Sequence, residues 1–156
     1  MEMIGQTRES LAAYTCAQVA NLVPDGRGDA LLPVVSRHID EALARTGRCI
    51  DAVRMWRPGQ FNYLHSSQYC QYLYYLANTI WRNERNGEAC TKLFLLNKAL
   101  NAIDLFYEIE MPEVFLLATR WASCWPRPPT ATTWCCTRTP PSARTMASRR
   151  SSATAW

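Results

Sequence analysis

Apolar and polar positions follow a helical period along most of the first 117 residues, most plainly between Lys92 and Leu117. There Leu93, Leu96, Leu100, Ile103 and Tyr107 recur on one stripe, and Asn97, Asn101, Asp104 and Glu108 on a second, narrow and polar. Phe94, Leu95, Ala99, Ala102, Leu105 and Phe106 make most of the remaining surface apolar. The pattern predicts a helix over Ala89–Phe106 that is buried on several sides. Met111-Pro112 stops it, because proline pushes the preceding residue out of helical geometry. Glu113–Leu117 then reads as a short buried strand.

Upstream, Ser10–Leu22 reads as a first helix with Leu11, Tyr14, Cys16, Val19 and Leu22 apolar. Pro24–Gly28 is a turn. Asp29–Thr46 is amphipathic through Leu32, Val35, His38, Ile39, Ala42 and Leu43, with Asp29 as N-cap and Gly47 as stop. His38 on that stripe suits a core-edge histidine bonded to a neighbour, since no second His or Cys lies four residues away. Cys49–Arg57 predicts a short helix and Phe61–Ser66 a loop. Ser66 or Ser67 can cap the next helix, Ser67–Arg85, whose stripe is Tyr69, Tyr72, Leu73, Leu76 and Ile80, until Asn86-Gly87 breaks it. The expected fold is therefore an all-α bundle of four to five helices over residues 1–117, with an irregular tail from 118 to 156. The last two helices are more apolar than a small monomer's surface should be, which marks an interface.

Composition divides the chain at the same place. Ala118–Trp156 holds six arginines and no Lys, Asp or Glu, so residues 1–117 keep eleven basic and thirteen acidic side chains. The formal charge of +4 thus belongs to the tail, and it gives no reason to expect a nucleic-acid partner for the body. The seven cysteines form no C-x-x-C and are widely spaced in the body, which suits buried or unremarkable free thiols rather than a disulfide framework or a metal site. No signal peptide is expected at Met1–Gln6, and no apolar run reaches the ~20 residues that span a bilayer, so a cytoplasmic protein without membrane contact is expected.

Three phrases carry a family resemblance: Phe61-Asn-Tyr-Leu-His-Ser-Ser-Gln-Tyr69, Leu73-Tyr-Tyr-Leu-Ala-Asn78 and Leu93–Leu117. Together, over roughly Arg57–Leu117, they resemble the serine acetyltransferase-like branch of the hexapeptide-repeat acyltransferases. The resemblance implies a helical N-terminal domain leading into a left-handed parallel β-helix. It implies an oligomeric enzyme of cysteine biosynthesis that moves an acetyl group from acetyl-CoA to the hydroxyl of serine or a related substrate, with cysteine synthase as a candidate partner. In that family a histidine is general base, a carboxylate orients it, and backbone N–H groups stabilise the oxyanion.

The resemblance stops at Leu117. A disordered basic tail, an arm that binds a partner, and a shifted reading frame compete to explain residues 118–156. Disorder fits the Pro, Ser and Arg content but not four Trp and three Cys. Arg and Trp would suit nucleic acid, though lysine would be expected beside them. The genetic code favours the shifted frame. When each codon takes the third base of one residue and the first two of the next, Trp121-Ala122 must encode glycine, Trp134-Cys135 valine, Cys135-Cys136 leucine and Met146-Ala147 glycine. Histidine is permitted at Ala118-Thr119 and at Thr145-Met146, where the family's H-x-V-G and N-H-G phrases would stand. Forced glycines and aliphatics are what the tight corners and inward positions of a β-helix require.

No histidine follows His65, so neither a catalytic base nor an acetyl-CoA site is expected in this chain. It is an enzyme by resemblance only. The candidates for substrate binding are Asn62 and His65, in a loop the resemblance brings near the serine site, and Asp104 and Glu108 on the polar stripe. Local capping or packing of His65, and a buried hydrogen bond for the carboxylates, remain the plainer readings. The rival function is a small helical oligomerisation or interaction protein with a basic Arg/Trp tail.

Overall fold

The third helix of this computed structural model is its axis: every residue from Gln68 to Ile80 is buried. The structure describes residues 1–116, with 134 and 135. In chain order these form β1 (Glu2–Met3), α1 (Arg8–Leu22), α2 (Gly28–Ala52), β2 (Gln60–Phe61), α3 (Ser66–Glu84), α4 (Gly87–Asn101), β3 (Phe115–Leu116) and β4 (Trp134–Cys135). It is an all-α bundle of four helices with two minimal strand pairs. α3 packs on α2 along one side and on α4 along the other, and α1 closes over α2. With helices on both sides, α3 has no exposed face between Gln68 and Ile80, which explains why Tyr72, Tyr74 and Tyr75 are all fully buried. Among the described residues no helix is long and apolar enough to cross a membrane.

Each boundary has a local cause. α1 starts at Arg8 because Thr7 and Ser10 form a capping box: Ser10 N–H donates to Thr7 Oγ1 (3.2 Å) and Thr7 N–H to Ser10 Oγ (2.8 Å). α2 begins at Gly28, so Asp29 lies in its first turn, where its charge suits the helix dipole, rather than at the cap. Gly47 does not stop α2. It is buried mid-helix with the Met1 side chain laid over it, and an added Cβ would stand 3.3 Å from Met1 Sδ. Its missing side chain makes room for the N-terminus, a role that the stop rule cannot distinguish. The separate helix expected at Cys49–Arg57 is therefore absent. Cys49–Ala52 is the last turn of α2, held by fully buried Cys49 and Ile50, and a turn follows. Asn86 caps α4 as the Asn86-Gly87 break implies, accepting from Ala89 N–H at 3.2 Å.

The largest departure lies in the central stretch. α4 ends at Asn101, not Phe106, and Ala102 turns back with φ 52°, in the left-handed region. Only one face of α4 is buried, through Ala89, Cys90, Leu93, Leu96 and Asn97, and Leu100 is 51 % exposed. Residues 103–106 fold back along α4, where Asp104 meets Lys98 and Phe106 meets Phe94, and from Tyr107 to Met111 the chain lies against α3. Tyr107 is buried there, with its ring centroid 5.3 Å from that of Trp81 and 4.3 Å from that of Phe106. Of the expected strand Glu113–Leu117, Phe115 and Leu116 are extended and pair in parallel with Trp134 and Cys135. The parallel pair β1–β2 joins the N-terminus to the chain before α3, so Phe61 stands in a strand rather than in the expected loop. Leu117 and, Trp134–Cys135 apart, the expected irregular tail lie outside the described residues.

The four described thiols are free and buried. Burial raises Cys16 to about 11 and Cys70 and Cys90 to about 12, and it raises Cys49 as well. We expect these four cysteines to resist a thiol reagent at pH 8 until denaturant is added, as mapped by peptide mass spectrometry.

Candidate functional site: a rail on α3

Four polar side chains interrupt the apolar surface of α3 at positions 71, 74, 75 and 78. This i, i+3, i+4, i+7 spacing places them on one face. Each donates a hydrogen bond to a backbone carbonyl of the segment that leaves α4. Asn78 Nδ2 reaches Tyr107 O at 2.8 Å, Tyr74 Oη reaches Ile109 O, Tyr75 Oη reaches Glu113 O at 3.0 Å, and Gln71 Nε2 reaches Phe115 O at 2.6 Å. Met111 N–H donates back to Tyr74 Oη at 3.1 Å. Asn78 meets Tyr107 at one end and Gln71 meets Phe115 at the other, so residues 107–115 run antiparallel to α3 as an irregular arm, with a turn at 107–109 and a bend at 113–114. Outside a helix or sheet, the carbonyls of Tyr107, Ile109 and Glu113 need partners from elsewhere, and the rail supplies them.

The rail is also packed. Phe115 is buried against the rings of Tyr74 (5.4 Å) and Tyr75 (5.5 Å). Cys49 Sγ lies 3.0 Å from Tyr75 Oη and 3.4 Å from Glu113 O. The Arg45 guanidinium lies 4.6 Å above the Tyr75 ring and donates to Thr79 Oγ1 at 2.9 Å. Burial, chiefly, lowers Arg45 from its ordinary pKa, and nearby Arg82 adds to that. Burial raises both tyrosines, so they remain neutral donors. Gln71 Oε1 and Asn78 Oδ1 are buried beneath the arm without a hydrogen-bond partner among the described residues.

The candidate residues read from the sequence lie elsewhere. Asn62 organises the loop before α3: its N–H donates to Gln68 Oε1 (2.8 Å), its Oδ1 accepts from Leu64 N–H (2.9 Å), and its carbonyl accepts from His65 N–H (3.0 Å). His65 occupies the N-cap position of α3 without a side-chain cap bond and is exposed, its ring edge-on to Trp56 at 5.4 Å. Asp104 and Glu108 are also exposed; Asp104 accepts from Lys98 at 2.9 Å. These carboxylates flank the start of the arm, near Asn78, whereas Asn62 and His65 precede the first turn of α3. About 20 Å of helix separates the two pairs, so the fold does not bring them together. The rail was missed because its members read as part of an apolar helix. Its one legible signal was polar groups on a single face of that helix.

His38 sits at the core edge as expected. It is 8 % exposed, with Nε2 2.8 Å from Glu84 Oε1 and Nδ1 3.3 Å from Asn83 Nδ2. The His38 bond, then Arg37, holds the Glu84 carboxyl below its ordinary value against some burial. Lys92 joins α4 to the α1–α2 turn through Asp25 (2.8 Å) and also pairs with Glu88 one turn earlier in α4 (2.9 Å). Its bond to Asp25, then that to Glu88, raises Lys92. The signs follow from linkage. Glu84, lowered in the folded state, contributes stability above its unfolded value and loses it as pH falls through the folded value. Lys92, raised, keeps its contribution until strongly alkaline pH. Glu84→Gln should therefore flatten the acid limb of a melting-temperature profile below about pH 5 and leave the limb above pH 9 unchanged.

No family of known proteins, no curated protein and no solved structure matches this chain.

Proposed function

We propose that residues 1–117 are the helical N-terminal domain of a serine O-acetyltransferase-like protein of the hexapeptide-repeat class, and that residues 118–156 are a frame-shifted tail in place of its β-helix. The observation that carries this reading is the rail. Leu73–Asn78 and Leu93–Leu117, two of the phrases behind the resemblance, are the segments the rail joins, through Tyr74, Tyr75 and Asn78. An arm held antiparallel to α3 that ends in the strand Phe115–Leu116 is a suitable lead into a following strand domain. On this reading the parent is cytoplasmic, self-associates through the helical domain and uses acetyl-CoA as co-substrate, with cysteine synthase as a candidate partner. Asn62, His65, Asp104 and Glu108 remain candidates for contact with the hydroxyl substrate. The present chain transfers nothing, because no histidine follows His65. The experiment is a free-thiol assay for CoA released from acetyl-CoA and serine, on the chain as it stands and on one with the frame restored after Leu117. Turnover by the unaltered chain, lost on His65→Ala, would overturn the reading.

A second reading, a small helical interaction protein, draws on the exposed Leu95, Leu100, Phe106 and Ile109 around α4 and the arm. A coding sequence with no open alternative frame beyond Leu117 would favour it.

A further inference from the structure

The geometry points to exchange of the arm, residues 103–116, between two copies of this chain about a hinge at Ala102. Three observations carry this. First, Ala102 is held at φ 52°, a conformation in which its Cβ crowds the backbone, although alanine is the strongest helix former. Second, the helical stripe does not stop there. Leu93, Leu96 and Leu100 continue through Ile103 to Tyr107, so α4 could run on to about Phe106 if the hinge straightened. Local preference and tertiary structure therefore disagree at one residue, with five residues, 102–106, between α4 and the first rail contact at Tyr107.

Third, the rail cannot stand empty. Gln71, Tyr74, Tyr75 and Asn78 are buried, and withdrawing the arm would leave their donors without partners. An open hinge is thus tolerated only where another arm takes the same place. The arm of a second copy fits by construction, since it offers the same carbonyls and the same Phe115 ring. A strained hinge between a docked segment and its domain is the setting in which identical elements exchange. The occupant is therefore a second copy, and each copy completes the other's rail. This inference does not depend on the acetyltransferase reading.

The test uses the full chain and its Ala102→Gly and Ala102→Val variants, each refolded from denaturant at high and low concentration and sized by chromatography with light scattering. Glycine accepts the closed hinge and disfavours the continuous helix, so Ala102→Gly should weaken dimerisation by at least about tenfold. Valine is strained further in the left-handed region, so Ala102→Val should strengthen it. An exchanged dimer should survive dilution and become monomer only after passing again through denaturant, whereas a surface dimer would re-equilibrate at once. A dimer insensitive to residue 102, one that dissociates on dilution, monomer alone under every condition, or larger aggregates in all three chains would each overturn the inference. Ala102→Gly is expected to fold whatever becomes of Ala102→Val.

Discussion

Restoring the frame after Leu117 should convert an inert chain into one that releases CoA from acetyl-CoA in the presence of serine. The shifted frame permits glycine, then histidine, where Leu117-Ala118-Thr119 is now read, and a second histidine at Thr145-Met146. A positioned base contributes on the order of 10²–10⁴ in rate, and a preformed set of N–H donors about as much again. The expected change is therefore from background to readily measured turnover. Replacing either restored histidine by alanine should return the rate most of the way to background. Acetyl-CoA should raise the melting temperature of the repaired chain and leave that of the present one unmoved, because a ligand stabilises only a state that binds it. The repaired protein should also be a trimer or larger that buries the apolar side of the bundle, and this separates it from the arm-exchanged dimer proposed for the present chain. A repaired chain that stays monomeric and inert would remove the acetyltransferase proposal and leave the interaction protein.

Replacing Asn78 by alanine should destabilise the bundle by about 2–4 kcal/mol, combining an unpaired Tyr107 carbonyl with a cavity at a position of 0 % exposure. The melting temperature should fall by about 10 °C for a domain of this size. Asp104→Ala and Glu108→Ala should each change stability by less than about 0.5 kcal/mol, because both side chains lie in water. The contrast matters because sequence reasoning placed Asp104 and Glu108 on one polar stripe and left Asn78 inside an apolar helix. Thermal unfolding of the three variants decides it. An Asn78→Ala protein as stable as the parent would mean that the rail does not hold the arm.

Most helices were legible because their signals are local. Asn86 and the Pro24–Gly28 turn act within a few residues of the backbone groups they satisfy or break, and the stripe Tyr69, Tyr72, Leu73, Leu76, Ile80 is buried as its period implies. Where the reading failed, a distant partner had intervened. Gly47 looked like a stop until Met1 was seen to occupy its open side. Leu100 and Ile103 looked like one continuing stripe until Asn78 and Trp81 were seen to hold Tyr107.

By itself the sequence determined the helical class, the break between α3 and α4 and the change of composition after Leu117. Each follows from periodicity, capping chemistry or the genetic code, which need only neighbouring residues. The end of α4 at Asn101, the left-handed Ala102, the antiparallel arm and the rail that receives it were decided only by tertiary structure. Their energies come from pairs tens of residues apart: Gln71 with Phe115, Tyr75 with Glu113, Asn78 with Tyr107. A buried carbonyl with a donor in reach outweighs the propensity of one alanine to continue a helix, and that preference exists only once α3 and the arm have met.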